Sequence, residues 1–151
     1  MTTTVHIDDL AALAGKDLGT SDWIDVTQDR VDTFADATGD HQWIHVDVER
    51  AKEGPFGTPI AHGYLTLALF IPAFTALLDV DGVNTKVNYG LNKVRFPAPV
   101  PAGARIRLHA AVASVAEVAG NGVEIVVDGT IEIENGAKPA CVLQSVSRFY
   151  R

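Results

Sequence analysis

His62-Gly63-Tyr64-Leu65-Thr66-Leu67-Ala68-Leu69-Phe70-Ile71-Pro72-Ala73-Phe74-Thr75-Ala76-Leu77-Leu78 is the stretch on which the fold turns. Leu65, Leu67, Ala68, Leu69, Phe70, Ile71, Ala73, Phe74, Leu77 and Leu78 are spread nearly all the way round a helix, so a helix here must be covered on most sides. Pro72 lacks an N–H and its ring crowds the carbonyl four residues earlier, which predicts a kink or interruption in the middle.

Downstream the period changes from helical to alternating. Lys86 to Phe96 reads as a strand, followed by the turn Pro97-Ala98-Pro99-Val100-Pro101-Ala102-Gly103. From Arg105 to Val118, Ile106, Leu108, Ala110 and Val112 fall on one face and Arg105, Arg107 and His109 on the other. Gly120-Asn121-Gly122 is a hairpin signal. Val123, Ile125, Val127, Ile131 and Ile133 then oppose Glu124, Asp128, Thr130, Glu132 and Glu134, as in a sheet with one dry face. Asn135-Gly136 marks another hairpin, and Ala140 to Tyr150 is the last strand. One apolar helix followed by long antiparallel strands predicts an α+β fold in which a curved sheet wraps a central helix. A short strand at Asp22 to Val26 would complete a five-stranded sheet.

Upstream, Ile7 to Ala14 is a short helix opened by Asp8-Asp9 and ended by Gly15. Thr27 is a plausible N-cap for a helix whose apolar stripe is Val31, Phe34, Ala35 and Thr38, with Gly39 as its stop. A second short helix spans about Asp47 to Lys52, and Gly54-Pro55-Phe56-Gly57-Thr58-Pro59 is a loop by composition.

The composition narrows the function classes. At 151 residues, 47% hydrophobic and 21% charged, with no repeat or linker, the chain reads as one continuous domain, 1–151. Twelve basic against nineteen acidic residues give a net charge of −7, and no Lys/Arg run accumulates, which argues against a nucleic-acid partner. The start Met1-Thr2-Thr3-Thr4-Val5-His6 has neither the basic opening nor the apolar run of a secretory signal, and Leu65 to Leu78 is too short and interrupted to span a membrane. A cytoplasmic protein with no membrane partner is the expectation. A single cysteine, Cys141, rules out an intramolecular disulfide or a cysteine-based zinc site.

Chemistry concentrates in Thr38-Gly39-Asp40-His41-Gln42-Trp43-Ile44-His45. Asp40 and His45 stand in a break between helices, where Trp43 and Ile44 draw the segment away from bulk water; a carboxylate and an imidazole held this way can move protons around an activated water. The plainer reading is that Asp40 caps a turn and His45 is a satisfied, partly buried histidine. Gly63, opening the apolar helix, could offer an N–H to a ligand carbonyl with the help of the helix dipole, or could simply permit tight packing. His62 either caps that helix or faces solvent. His41 and His45 have the i,i+4 spacing of a metal pair, but Gly39-Asp40 argues against regular helix there, so no metal is expected. Lys93, Arg95, Arg105 and Arg107 are candidates for phosphate contacts, although alternating basic residues on a sheet are more often plain solvation.

Phe34 through His45 with Ala51, then Pro59-Ile60-Ala61-His62-Gly63, then Asn92-Lys93-Val94-Arg95-Phe96 ahead of Pro99-Val100, resemble the hydratase-2 motif of MaoC-like, (R)-specific enoyl-CoA hydratases. The similarity runs from about Trp23 to Arg151. It implies the hot-dog fold, a homodimer, and a hydro-lyase adding water to trans-2-enoyl-CoA thioesters to give the (R)-3-hydroxyacyl product. It implies Asp40 and His45 as catalytic residues, and Gly63, Gln42 and His62 as substrate-binding residues. No cofactor is implied, since CoA belongs to the substrate. Many members carry Asn-Pro where this chain has Gln42-Trp43, which keeps an amide on a longer arm and loses a rigid proline. Two alternatives stand beside this reading: a hot-dog acyl-CoA thioesterase, and a non-catalytic acyl-CoA-binding or assembly subunit.

Overall fold

The computed structural model describes residues 1–151. In chain order it comprises β1 (Thr3–His6), a 3₁₀ segment (Ile7–Leu13), β2 (Asp17–Thr20), β3 (Ile24–Asp25), α1 (Gln28–Thr38), α2 (Trp43–Val46), α3 (Val48–Lys52), α4 (Gly63–Ala68), α5 (Phe70–Leu77), β4 (Leu78–Asp81), β5 (Thr85–Arg95), β6 (Arg105–Val118), β7 (Gly122–Ile133) and β8 (Cys141–Tyr150).

The main sheet has the order β2-β6-β7-β8-β5, with β3 also paired to β6, and every pairing in it is antiparallel. The β6–β7 hairpin closes through Gly120 (φ 84°) and Asn121 (φ 63°), left-handed positions that glycine and asparagine tolerate best. Its alternation is the one written in the sequence. Ile106, Leu108, Ala110 and Val112 of β6, and Val123, Ile125, Val127 and Ile131 of β7, are buried on the inner face. Arg105–Glu134, Arg107–Glu132 and Arg148–Glu124 pair on the outer face. Such pairs, being part exposed, contribute at most about 1 kcal/mol each.

The inner face wraps α4–α5, giving the hot-dog arrangement of an antiparallel sheet around a central helix. The helix is interrupted at Leu69, not at Pro72 itself. Proline at 72 leaves the carbonyl of Ala68 without its helical donor, so the backbone loosens one turn ahead of the ring. Leu69 N–H still donates to the Leu65 carbonyl (3.0 Å), and Ala73 N–H to the Leu69 carbonyl (3.4 Å), so hydrogen bonds run through the break.

Two expectations need correction, and one pairing was not anticipated. The helix is not covered on most sides: Tyr64 (73% exposed) and Ile71 (39%) look outward from the chain. The early edge of the sheet is formed by β2 as well as the two-residue β3, where a single strand at Asp22 to Val26 was expected. A separate parallel pair, β1 with β4, ties the N-terminus to the end of the central helix. At the far edge of the main sheet β5 has no partner on its outer side, and Val87, Tyr89 and Leu91 are exposed along it.

Candidate active site

Thr27 caps α1 by accepting from the Arg30 N–H (3.1 Å), and Gly39 ends the helix in the left-handed conformation (φ 80°). Asp40 is thereby placed just beyond a sharp turn. Its carboxylate is exposed and accepts a long bond from the Gln42 N–H (3.4 Å).

His45 lies on the four-residue helix α2 and is only 6% exposed. So short a helix cannot hold itself, and it is clipped to the segment before α4. Ile60 N–H donates to the Ile44 carbonyl (3.0 Å), and His45 Nδ1 donates to the Ile60 carbonyl (2.6 Å). From the other side Gln28 donates to the His45 carbonyl (2.8 Å) and to Asp32 (2.9 Å). A carbonyl can only accept, so Nδ1 carries the proton and Nε2 is left with a free lone pair. Burial lowers the His45 pKa below the ordinary imidazole value, and the facing His62 pushes in the same direction; the Ile60 carbonyl and Asp40 oppose them. The ring is therefore set up as a neutral acceptor.

His62 is 2% exposed and stacks on His45 with centroids 3.9 Å apart and planes 24° apart. Its Nε2 donates to the Asp40 backbone carbonyl (2.9 Å), while Nδ1 is buried without a partner. Neither expected role of His62 fits: it makes no side-chain cap for α4, and it does not face solvent. Neither His62 nor Asp40 is among the residues lining the cleft, and His62 meets it through the stacked His45 ring.

The cleft has a volume of about 360 Å³ and is lined by His45, Ile60, Gly63, Thr66, Phe96 and Val100 among others. Gly63 opens α4, so its N–H has no carbonyl within the helix to bind. Its φ is not positive, and a Cβ there would sit 3.3 Å from ring carbons of Phe96. Absence of a side chain, rather than backbone freedom, is what this position requires. Buried Thr66, one turn into α4, is a lining residue the sequence did not flag. Gln42 is exposed, outside the lining, and its side-chain amide makes no hydrogen bond.

Asp40, His45 and His62 bring donor atoms within 4.8 Å of one another. Imidazole lone pairs lie in the ring plane, and two stacked, nearly parallel rings aim theirs side by side rather than at one point. The trio suits protons better than a cation. The other histidine pairing, His41 with His45, does not form: His41 lies before α2 and bonds Asp36 on α1 (2.9 Å). Cys141 is buried, and burial pushes its thiol up to about 11, so it is no nucleophile. Arg105 and Arg107 are matched by Glu134 and Glu132, whereas Lys93 and Arg95 have no carboxylate partner.

Two more hollows follow the cleft along the central helix, between it and β5–β8. Leu67, Phe70, Leu91 and Ser145 line the first, and Phe74, Leu78, Val87 and Phe149 the second; Ile71 and Ser147 border both.

An antiparallel sheet around a central helix, with an Asp–His pair at the start of that helix, defines a hot-dog protein of the MaoC type, and residues 9–134 match the family described as MaoC like domain. The chain belongs to that family. It is 53% identical over 149 residues to 3-hydroxyacyl-thioester dehydratase Z of Mycobacterium tuberculosis, covering 99% of each chain. Among solved structures, the (R)-hydratase of A. caviae involved in PHA biosynthesis superposes with a TM-score of 0.71 at 22% identity, over 89% of this chain and 94% of that one. The C-terminally truncated HadBC (3R-hydroxyacyl-ACP dehydratase) complex of M. tuberculosis gives 0.70 at 20% identity, over 90% and 96%. At those identities the structural likeness concerns the fold.

Proposed function

We propose that this protein is a hydro-lyase that adds water across the trans-2 double bond of enoyl thioesters, and removes it from 3-hydroxyacyl thioesters in reverse. The observation that carries the reading is a buried His45 whose Nδ1 is committed to the Ile60 carbonyl and which brings a ring nitrogen within 4.8 Å of an Asp40 carboxylate oxygen, beside a cleft that His45 and Gly63 both line. The near full-length similarity to a 3-hydroxyacyl-thioester dehydratase supports the same class.

In this reading the thioester oxygen lies against the Gly63 N–H, which takes up the negative charge that grows there as C3 is attacked. One such donor is worth roughly 2.7–4 kcal/mol in the barrier. A single water is held between Asp40 and His45 Nε2. Its oxygen bonds to C3, one proton passes to the dyad, and a proton is returned to C2, so that H and OH are added and nothing else is consumed. The (R)-configuration is carried over from the family resemblance and requires the bound enoyl group to present the corresponding face of C3 to the dyad. The acyl chain follows the hollows along α4–α5, whose walls are mostly apolar.

The working unit in this proposal is a homodimer. An unpaired edge of eleven residues in β5 is a ready template for a second strand. The outward Tyr64 and Ile71 would be covered by the same contact. Sedimentation should give a particle of twice 16.1 kDa; a monomer at micromolar concentration would defeat the dimer, and a requirement for a different chain would replace it with a heterocomplex. No helix is long and apolar enough to cross a membrane.

Crotonyl-CoA tests the reaction. Loss of enoyl absorbance without free thiol is the expected result. Release of thiol would make the protein a thioesterase, and binding without either change would make it an acyl-thioester-binding subunit.

A further inference from the structure

His62 is buried, titratable and unused by the chemistry above. Its ring is held on both sides, by Phe34 of α1 (centroids 4.8 Å, planes 54° apart) and by His45 of α2 (3.9 Å, 24°). Its Nε2–H reaches back across the site to the main-chain carbonyl of Asp40 at 2.9 Å. One side chain at the entrance to α4 thus touches the ring of one member of the dyad and the backbone of the other. Asp40 needs such a tie: its other fastenings are two long bonds of 3.4 Å, from its own N–H to Thr38 and from Gln42 to its carboxylate.

We infer that His62 is the positioning residue of the dyad, fixing the plane of the His45 ring by stacking and the loop that carries Asp40 by its Nε2–H. The inference rests on the assignment of Asp40 and His45 to the chemistry. It explains the tautomer of His62: the bond to Asp40 needs the proton on Nε2, which leaves Nδ1 bare and without a partner. A buried acceptor with no donor is unfavourable, and the fold tolerates it here in exchange for the tie. The ionisable groups acting on His45 are then Asp40, which favours the imidazolium, and His62, which disfavours it.

Two substitutions separate the two contacts. His62→Phe keeps a ring against His45 and Phe34 but cannot donate to Asp40. His62→Gln keeps an N–H that can reach the carbonyl and gives up the ring. We expect His62→Phe to lose about tenfold or more in kcat, within the roughly 10²-fold that a 1 Å misplacement can cost, with KM changed less than about threefold. His62→Gln should recover part of that kcat. In both variants the acid limb of the kcat/KM profile should move to higher pH, because the group opposing the His45 imidazolium is gone. Unchanged kcat per folded molecule, a His62→Gln variant no better than His62→Phe, or a loss carried by KM would each overturn the proposal, the last by making His62 a substrate contact. NMR titration of the His45 ring in the free protein keeps the two readings apart. A raised His45 pKa in both variants of a protein that hydrates no enoyl thioester would uphold the contact between His62 and His45 and sink the reaction. An unmoved pKa in an active hydratase would do the reverse.

Discussion

The two ends of the central helix are buried to a similar extent by opposite means. At the far end Phe70, Ala73, Phe74 and Leu77 are covered by apolar side chains of the core, and α5 packs on β2, β4 and β6. At the near end the buried residues are His62, Leu65 and Thr66, with His45 stacked above, and the polar atoms are held mainly by main-chain carbonyls from other segments, Ile60 for His45 and Asp40 for His62. Apolar burial is non-directional and tolerates small shifts. A hydrogen bond to a fixed carbonyl sets one tautomer and one ring plane. On the proposed mechanism one helix carries stability at one end and chemistry at the other, and substitutions at the two ends should fail in different ways.

The largest effect belongs at the near end. Asp40→Asn, and separately His45→Gln, should lower turnover by at least about 10²-fold, the lower range for a lost general acid or base. Asp40→Asn should leave the melting temperature within a few degrees of the parent, since the carboxylate is exposed. Turnover on crotonyl-CoA and a thermal melt on the same preparation check this. An active Asp40→Asn protein would remove the carboxylate from the mechanism.

Leu77→Ala makes the complementary test at the far end. Leu77 is 2% exposed in the main core, and truncation there should cost about 2–5 kcal/mol of folding stability. Turnover per folded molecule should stay near the parent value, as read from urea unfolding paired with activity. A large loss of specific activity without a loss of stability would mean that the two ends are mechanically coupled.

Local signals were legible in the sequence at both ends, and long-range contacts at neither. β6 spans Arg105–Val118 as expected, although its in–out alternation stops at Val112, where a bulge shifts the register, and the turns at Gly120-Asn121-Gly122 and Asn135-Gly136 fall where expected, because these signals are local. The Thr27 cap and the Gly39 stop are local too. The β1–β4 pair joins residues far apart in the chain through two four-residue strands too short to show a period. α2 exists because Ile60 and Gln28 hold it, and neither is a neighbour in sequence. Asp40, His45 and Gly63 were singled out by residue type, spacing and the family resemblance, and the fold brings Asp40 close to His45 and sets His45 and Gly63 in one cleft lining. The position of His62 was not, since it depends on a ring stack and on the path of the Asp40 loop. The open side of the helix was hidden for another reason: hydrophobicity says that a surface needs covering, and not which chain covers it.

Gly63 lies on the boundary between packing and chemistry and should show a smaller, graded effect. An alanine Cβ meets Phe96 at 3.3 Å, and Phe96 is 41% exposed and free to yield by a few tenths of an ångström. Gly63→Ala should therefore fold normally and lose some kcat/KM, while Gly63→Val, whose branches enter the cleft, should lose about tenfold more, short of the roughly 10²–10³ of a deleted oxyanion donor because the N–H remains. If Gly63→Val is fully active when folded, the glycine serves packing alone.

The smallest effect is in the pH dependence of stability, and it asks whether the near end is dry. His45 has its pKa lowered in the fold, chiefly by burial. Between that lowered value and the ordinary imidazole value of about 6.5, the unfolded chain binds more protons than the native one, so stability rises with pH across this window. The contribution is fully present above about pH 6.5, is lost as pH falls to the folded pKa, and changes no further below it. His41 acts with opposite sign: its pKa is raised by Asp36, so its contribution holds below about 6.5 and is lost as pH rises through the folded value, and exposure to solvent keeps it small. Comparing the parent with His45→Gln isolates the His45 contribution, because His41 is common to both. The stability difference between them should shift by a measurable amount in favour of the parent as pH rises from about 5 to about 7, the side of the imidazole value on which the lowered pKa acts. The cost of Leu77→Ala, with no ionisable group involved, should be flat over the same range. A flat His45→Gln difference would show that water reaches the ring freely, and the neutral acceptor on which the near end depends would lose its physical basis.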